Sequence, residues 1–537
     1  MPEYLAPGVY VEEVSTGPRP IEGVSTSTAG FIGETERGST KPRLVTSWQD
    51  YYRWFGGYID RPPFGAGGTA SPNLFLPYAV KGFFDNGGQR LFVARVTGAS
   101  ATATGALPGA AGATTISALG PGEWGNHLVI LCRQASAAQG AAAGPVQQWF
   151  RIQVLYYRDQ IPNPLFDPND ATKFARTPEV LEDFDNLTHI STESNFAQTL
   201  VNGASHLIQV TACPGPPDAP PSPPSQITLT NGTTVDAVEA DYLDEATTDP
   251  EQMKGLEGIC QLRDVSLVAI PDAVLAAHPN LNGKIIDKCE GMRDRFGILS
   301  ADDGPKDFGT FRPPRDTNYA AFYYPWVRVS APHTPLGHRT VPPTGHITGL
   351  YARVDVDRGV HKAPANEVIR GIISRDLLPD FKPLGFTLNK RQHDMLNPRG
   401  VNVIRDFRPD GRDIRVWGAR TMTSDAMWKY VNVRRLFIFV EQSIDRGTQW
   451  AVFEPNSDPT WSAIRTAIRG FLRTVWRNGA LLGTTQDEAF FVKCDRTTMT
   501  QDDLDGGRLI CLIGIAPVKP AEFVIFRISQ KTMEAES

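Results

Sequence analysis

Four arginines stand four residues apart, at 465, 469, 473 and 477. In an α-helix a step of four keeps side chains on one ridge that drifts by about 40° per step. Trp461, Ile464, Ile468, Leu472 and Trp476 run beside them, and Phe471 and Val475 widen the apolar face. One side of this helix therefore packs on a core, and the other offers four like charges with no acid among them. In isolation such neighbours repel by about 0.2–0.5 kcal/mol per pair, a repulsion that an acidic partner turns into attraction. Two readings stand at this point: a solvated face, and a contact for an acidic surface. One exposed ion pair contributes only about 0–1 kcal/mol. Repeated in every copy of a polymer, four such contacts hold two surfaces in register and still release by sliding.

Other chemistry would require the motifs that carry it. The chain has no GxxxxGK[ST] loop, no GxGxxG after a strand, no HExxH and no GxSxG. Gly65-Ala66-Gly67-Gly68-Thr69 is glycine-rich but lies among prolines, with no lysine placed for phosphate. The histidines, at 127, 189, 206, 278, 333, 338, 346, 361 and 393, form no cluster with metal-ligand spacing. No pair of carboxylates is singled out as acid and base. The expectation is no enzyme, and no catalytic, cofactor-binding or metal site. Six cysteines, at 132, 213, 260, 289, 494 and 511, include no CxxC pair, a usage that fits a reducing compartment. A net charge of −6 excludes a global nucleic-acid footprint. No apolar run is long enough to cross a membrane, and the opening MPEYLAPGVYVEEV has neither the basic nor the apolar region of a secretory signal.

The elements that would position the ridge follow from composition and period. With 537 residues, about three folding units are expected. The first 26 residues carry Pro2, Pro7, Pro18 and Pro20 around a β-branched run at Val9-Tyr10-Val11, which reads either as a frayed tail or as an arm with one strand needing a partner. Ala29–Gly33 and Leu91–Val96 read as strands, with a helix over Leu76–Phe84 stopped by Asp85-Asn86-Gly87-Gly88. Residues 98–120, 134–146 and 214–225 are rich in Gly, Ala, Ser, Thr or Pro and read as linkers or loops, with strand-like pieces at Leu128–Arg133 and Trp149–Tyr157. Residues 235–251 are acidic and read as a solvated face. About 100–250 is thus expected to be an inserted, mostly exposed module. Val265–Ile270, a helix over Lys284–Phe296 and a strand at Gly297–Leu299 imply a parallel pair and an α/β sheet. Leu436–Val440 reads as another strand, Trp461–Arg477 as a helix, and Leu509–Ile515 and Glu522–Ile528 as two last strands.

At these residues the chain resembles the contractile tail sheath family of myophage tails, contractile bacteriocins and extracellular contractile injection systems. The resemblance rests on many short motifs in order. They begin with Ala6–Glu13, Phe83–Gly88 and Gly122–Asn126, and continue with Tyr319–Trp326, Val341–Gly345 and Arg358–Asn366. Leu396–Asn402, Val416–Thr421, Tyr430–Leu436, Phe453–Asn456 and Pro520–Phe523 complete the series. It covers about 1–97 and 255–537. It implies a mixed α/β (α+β), multi-domain sheath subunit: an N-terminal arm at 1–27, a first part of the core at 28–97 and a surface-exposed insert at 98–254. A middle domain at 255–435, a C-terminal tube-facing domain at 436–516 and a C-terminal arm at 517–537 follow. It further implies strand exchange between subunits through Val9, Tyr10 and Val11 at one end and Phe523, Val524, Ile525 and Phe526 at the other. Arg465, Arg469, Arg473 and Arg477 would face an inner tube. The implied partners are further copies in stacked hexameric rings, the inner tube protein, and baseplate and terminator or cap proteins, with no nucleic acid, no membrane insertion and no cofactor. Assembly would take place in a bacterial cytoplasm, into a phage tail or an injection particle. Another structural part of such a particle, in baseplate or capsid, is the alternative.

Overall fold

The computed structural model describes residues 20–58, 74–108, 113–137, 149–170, 175–212, 224–304, 306–373 and 383–526. The chain divides into two compact units, one of residues 25–358 and 363–431 and one of residues 1–24, 359–362 and 432–537.

The larger unit opens with β1 (Ala29–Glu34), β2 (Arg43–Val45), α1 (Trp48–Phe55), α2 (Leu76–Asp85) and β3 (Leu91–Val96). β1 is buried on both faces, as a central parallel strand must be. The Asp-Asn-Gly-Gly stop after α2 works through a fully buried Asn86. Its amide donates to Gly82 O at 2.8 Å and Arg370 O at 2.9 Å and accepts from Arg370 N at 2.9 Å. Gly87 then turns with φ +94°, a conformation that side chains resist.

Next come β4 (Thr104–Leu107), β5 (Thr114–Ala118), β6 (Leu128–Gln134), β7 (Phe150–Tyr156), β8 (Val180–Leu187), α3 (Ala197–Ala204), β9 (Ile208–Ala212), β10 (Ser225–Thr228) and α4 (Glu239–Leu243). Two sheets, ordered β4-β5-β9 and β10-β6-β7-β8, enclose a core of their own. This corrects the linker reading of 98–120. Its small residues are there for packing: a Cβ on Gly125 would stand 2.6 Å from that of Ala103. The acidic stretch after 235 is also not wholly solvated, because α4 buries Tyr242 and Leu243.

The chain then returns through α5 (Gly255–Cys260), β11 (Leu267–Ala269), α6 (Leu281–Met292), β12 (Phe296–Ser300) and β13 (Ala320–Tyr324). A hairpin of β14 (Val327–Ser330) and β15 (His338–Val341) precedes α7 (Thr344–Arg358), β16 (Glu367–Val368), α8 (Lys390–Leu396), β17 (Val401–Asp406) and β18 (Ile414–Val416). The large sheet runs β16-β18-β17-β13-β12-β11-β1-β3-β2. It is parallel from β17 to β3, with antiparallel strands at both edges.

Helices α2 and α7 touch backbone to backbone. A Cβ on Gly345 or Gly349 would lie 2.2 Å from Ala79 O or Phe83 O, and Gly82 accommodates the buried His346 ring in the same way. Gly349→Ala is expected to force the helices apart, at a cost of about 3 kcal/mol, the upper end for overpacking. Thermal melting checks this, and an unchanged melting temperature would rule out the tight crossing.

The smaller unit comprises α9 (Val431–Thr448), α10 (Asp458–Arg477), α11 (Gln486–Ala489), β19 (Phe490–Lys493), α12 (Gln501–Asp505) and β20 (Leu512–Ile515). The expected strand at Leu436–Val440 is instead the middle of α9. A short continuous apolar run does not distinguish a strand from a buried helix. The longer window does: Leu436 and Val440 share a face, and Arg434 reaches Glu441, two turns on, at 2.9 Å. Residues 20–24 lie along this helix, where Val24 N donates to Ser443 Oγ at 3.1 Å and Ile21 packs over Gly447.

Candidate interaction surfaces

Helix α10 forms where the apolar spacing predicts it. Trp461, Ile464, Ala467, Ile468, Phe471, Leu472 and Val475 are buried against Leu436 and Val440 of α9 and Phe490 and Val492 of β19. The four arginines are not equivalent. Arg465 is half-buried and its Nη1 donates to Cys494 O at 3.2 Å, while Arg469 Nη2 reaches Val492 O at 3.5 Å. These two lean over the end of β19. Arg473 and Arg477 are exposed, and no carboxylate among the described residues pairs with any of the four. Ser462, Thr466, Gly470 and Thr474 complete the exposed side, so the surface is neutral and small apart from its cations.

β19 and β20 pair with each other alone, in a two-stranded antiparallel ribbon. β19 was not expected from the sequence. Its signal is the alternation of buried Phe490 and Val492 with exposed Phe491 and Lys493. Ala516 N donates to Ala489 O at 2.9 Å, which sets the alternation of rungs. Phe491↔Gly514 and Lys493↔Leu512 therefore exchange backbone bonds. The N–H and C=O groups of Ile513 and Ile515 consequently point to the far side of β20, where no described residue takes them. An unpaired edge of this kind is a template for an added strand.

Phe523, Val524, Ile525 and Phe526 follow at 70%, 69%, 77% and 83% exposure, outside any strand of the single chain. Four consecutive apolar side chains left in water are unusual for a folded domain. The other expected exchange residues, Val9, Tyr10 and Val11, and the glycine-rich loop at Gly65–Thr69 lie outside the described residues.

The sheet of the larger unit has a further polar site that no motif announced. Chain order reverses between β1 and β11, and in open α/β sheets the crevice beyond such strand ends is where ligands bind. Here Glu34 ends β1 and Asp272 follows β11. Asp272 Oδ1 accepts from Phe75 N at 2.7 Å and so caps α2, which has no capping side chain of its own. Its Oδ2 accepts from Tyr242 OH at 3.3 Å, and Leu76 covers Gly33. The chain's own groups fill the crevice. Burial pushes Glu34 up to about 8, with Asp272 and Asp236 adding to the effect, and pushes Asp272 up to about 7. Among the described residues no group of His, Cys, Asp or Glu is arranged to hold a metal ion, and no helix is long and apolar enough to cross a membrane.

Two family models match in succession, the phage tail sheath protein central domain at residues 245–422 and the phage tail sheath C-terminal domain at 423–531. Together they span a little over half of the chain. Among curated relatives, a prophage major tail sheath protein of Pseudomonas aeruginosa is 25% identical over 264 residues, which are 48% of this chain and 65% of that one. The matched part thus falls short of two thirds of the relative's length. Among solved structures, the sheath complex of an extracellular contractile injection system, PVC, in its contracted state shares the fold with a TM-score of 0.56 at 20% identity, covering 99% of each chain. The contracted helical sheath of the anti-feeding prophage matches with a TM-score of 0.56 at 22% identity, over 98% of this chain and 100% of that one.

Proposed function

We propose that this chain, which belongs to the phage tail sheath family, is the structural subunit of a contractile sheath. In this reading it polymerises as stacked hexameric rings around an inner tube and contracts to drive that tube through a target envelope. One observation carries the assembly step: a ribbon with an open strand edge and an exposed apolar segment, Phe523–Phe526, occur in the same unit. Each lacks what the other supplies. The segment of one copy added to the ribbon of the next satisfies both, and the backbone bonds of strand addition depend little on side-chain identity. Val9–Val11 at the other end is assigned the same task, and residues 98–254 the outer surface. Baseplate and cap proteins would close the two ends of the polymer. No catalytic role is assigned.

The arginine ridge is the proposed tube contact, now narrowed by geometry. Arg465 already bonds to Cys494 O just past β19 and Arg469 to Val492 O within it, so Arg473 and Arg477 are the cations free to meet an acidic tube surface. The test is co-expression with the candidate inner tube protein, followed by negative-stain microscopy. Striated tubes of six-fold rings are expected from the unaltered chain. Arg473→Glu with Arg477→Glu should leave melting unchanged, because both residues are exposed, and should lower the fraction of tube-filled sheaths, most at low salt. Absence of any tubular polymer from the unaltered chain would overturn the sheath reading. Full tube occupancy by the double variant would overturn the ridge assignment alone.

A further inference from the structure

Two thiols meet at the end of the β19–β20 ribbon. The register runs Phe490↔Ile515, Phe491↔Gly514, Val492↔Ile513 and Lys493↔Leu512, so the next rung places Cys494 opposite Cys511. The rung type is also determined. Phe491↔Gly514 and Lys493↔Leu512 are the bonded rungs, and Val492 O and Cys494 O turn outward to Arg469 and Arg465. Val492↔Ile513 and Cys494↔Cys511 are therefore non-bonded rungs. Opposed residues approach most closely on such rungs, with Cα atoms about 4.5 Å apart, inside the range of about 4.4–6.8 Å that a disulfide spans. Both side chains point to the same face: Cys494 is buried and Cys511 half-buried, in one cluster with Trp461 and Met499. Each thiol acts on the ionisation of the other.

We propose that Cys494 and Cys511 form a reversible cross-strand disulfide when the protein meets a low-molecular-weight disulfide such as oxidised glutathione. The half-buried Cys511 loses its proton to solvent, and its Sγ attacks one sulfur of the oxidant. That breaks the small disulfide and releases one thiolate. Cys494 Sγ, likewise deprotonated, then attacks Cys511 Sγ, forming the protein S–S bond and displacing the second thiolate. Two protein thiols are oxidised, one small disulfide is reduced to two thiols, and the two protons end on those thiols. Burial and the neighbouring Cys494 hold the Cys511 thiol up at about 12, and burial also raises Cys494. The exchange is therefore slow at neutral pH and faster in alkali. The bond ties the segment 495–510, with α12, to the ribbon beneath α10. A particle leaving a reducing cytoplasm for an oxidising medium would have this unit hardened after assembly. The chemistry itself depends on the hairpin alone and not on the sheath reading.

The test uses the full chain, incubated with oxidised glutathione at about pH 8.5, then alkylated and mapped by mass spectrometry without reduction. The expected result is a single linked peptide pair containing Cys494 and Cys511, two hydrogen masses lighter than the sum, which dithiothreitol separates. Oxidised chain should melt at higher temperature than reduced chain. Cys494→Ser and Cys511→Ser should each abolish both the link and the shift. Separate alkylation of the two thiols after incubation, a glutathione adduct on Cys511 with Cys494 still free, or a link from either to another cysteine would each overturn the proposal. These three readouts need only the unaltered chain, so a variant that fails to fold leaves the test intact.

Discussion

A chain ending at residue 519 is expected to fold normally and to lose polymerisation altogether. The cut keeps Val518, whose N–H donates to Ala480 O at 3.2 Å and whose carbonyl accepts from Asn432 at 3.1 Å. Beyond it, the four apolar side chains of Phe523–Phe526 are largely exposed and belong to no core cluster, so their removal takes nothing from the core. In a polymer the balance is different. Full burial of each such side chain contributes about 1.5–3 kcal/mol, and each main-chain bond of an added strand about 0.5–1.5 kcal/mol. A joint built this way is worth on the order of 10 kcal/mol, roughly seven orders of magnitude in association. Light scattering and negative-stain microscopy should show monomers where the full chain gives tubes, with circular dichroism and melting unchanged. Normal tubes from the shortened chain would remove the arm from the mechanism. A finer pair of variants tests the strand itself. Successive strand residues face opposite ways, so Phe523→Asp with Ile525→Asp should differ sharply in effect from Val524→Asp with Phe526→Asp. Equal effects would argue for a hydrophobic contact without strand geometry.

The legible parts of the molecule are those whose signal is local. Helix α10 was readable because seven apolar residues repeat at its period, and α2 because its stop, Asn86-Gly87, is a turn chemistry with few alternatives. Several motifs behind the family resemblance turn out to be internal carpentry. Asn402 and Arg420, from two separate motifs, are joined by reciprocal amide bonds of 2.7 Å. Tyr323 meets Tyr351 at 2.6 Å, and Trp326 Nε1 donates to Ala301 O at 2.7 Å. Gly345 of the Val341–Gly345 motif is the point where α7 touches α2. What the sequence concealed depends on distant partners. The α9 run looked like a strand because five apolar residues fill a helix face and a strand equally well. The Gly- and Ala-rich stretch at 98–120 looked like linker because the close sheet that requires small side chains is assembled from residues as far off as Ile208 and Ile227. Of the four ridge arginines, periodicity placed all on one face. That two of them would turn to carbonyls in and just past β19 required knowing where β19 lies. The same holds for Glu34 and Asp272, which meet only because β1 is inserted between β11 and β3.

That meeting makes folding stability fall as pH rises through neutrality. Glu34 and Asp272 titrate near 8 and 7 in the folded chain and near 4 in an unfolded one. Between those values the folded state holds protons that the unfolded state has lost, so each added pH step favours unfolding. The contribution is complete below about pH 4, declines from there, and is gone above about pH 8. Asp236 and Asp272 oppose ionisation of Glu34, while Arg95 and the Ala237 N–H favour it. Arg95 does not offset burial, because its Nη1 is bonded to Gly38 O at 2.9 Å and no hydrogen bond joins it to Glu34. The Phe75 N–H, Tyr242 and Arg339 favour an ionised Asp272, but they are outweighed by its complete burial. The summed effect between pH 5 and pH 9 is on the order of several kcal/mol. At about 1–2 °C per kcal/mol for a unit of this size, the melting temperature should fall by roughly 10 °C across that interval. Asp272→Asn keeps an acceptor for the Phe75 N–H and removes the titration, so it should flatten the profile below about pH 7 and melt higher than the unaltered chain at pH 9. Glu34→Gln should act in the same sense. A melting temperature that is level from pH 5 to pH 9, or one that rises, would mean that water or a cation reaches the crevice and that the two carboxylates are ionised there after all.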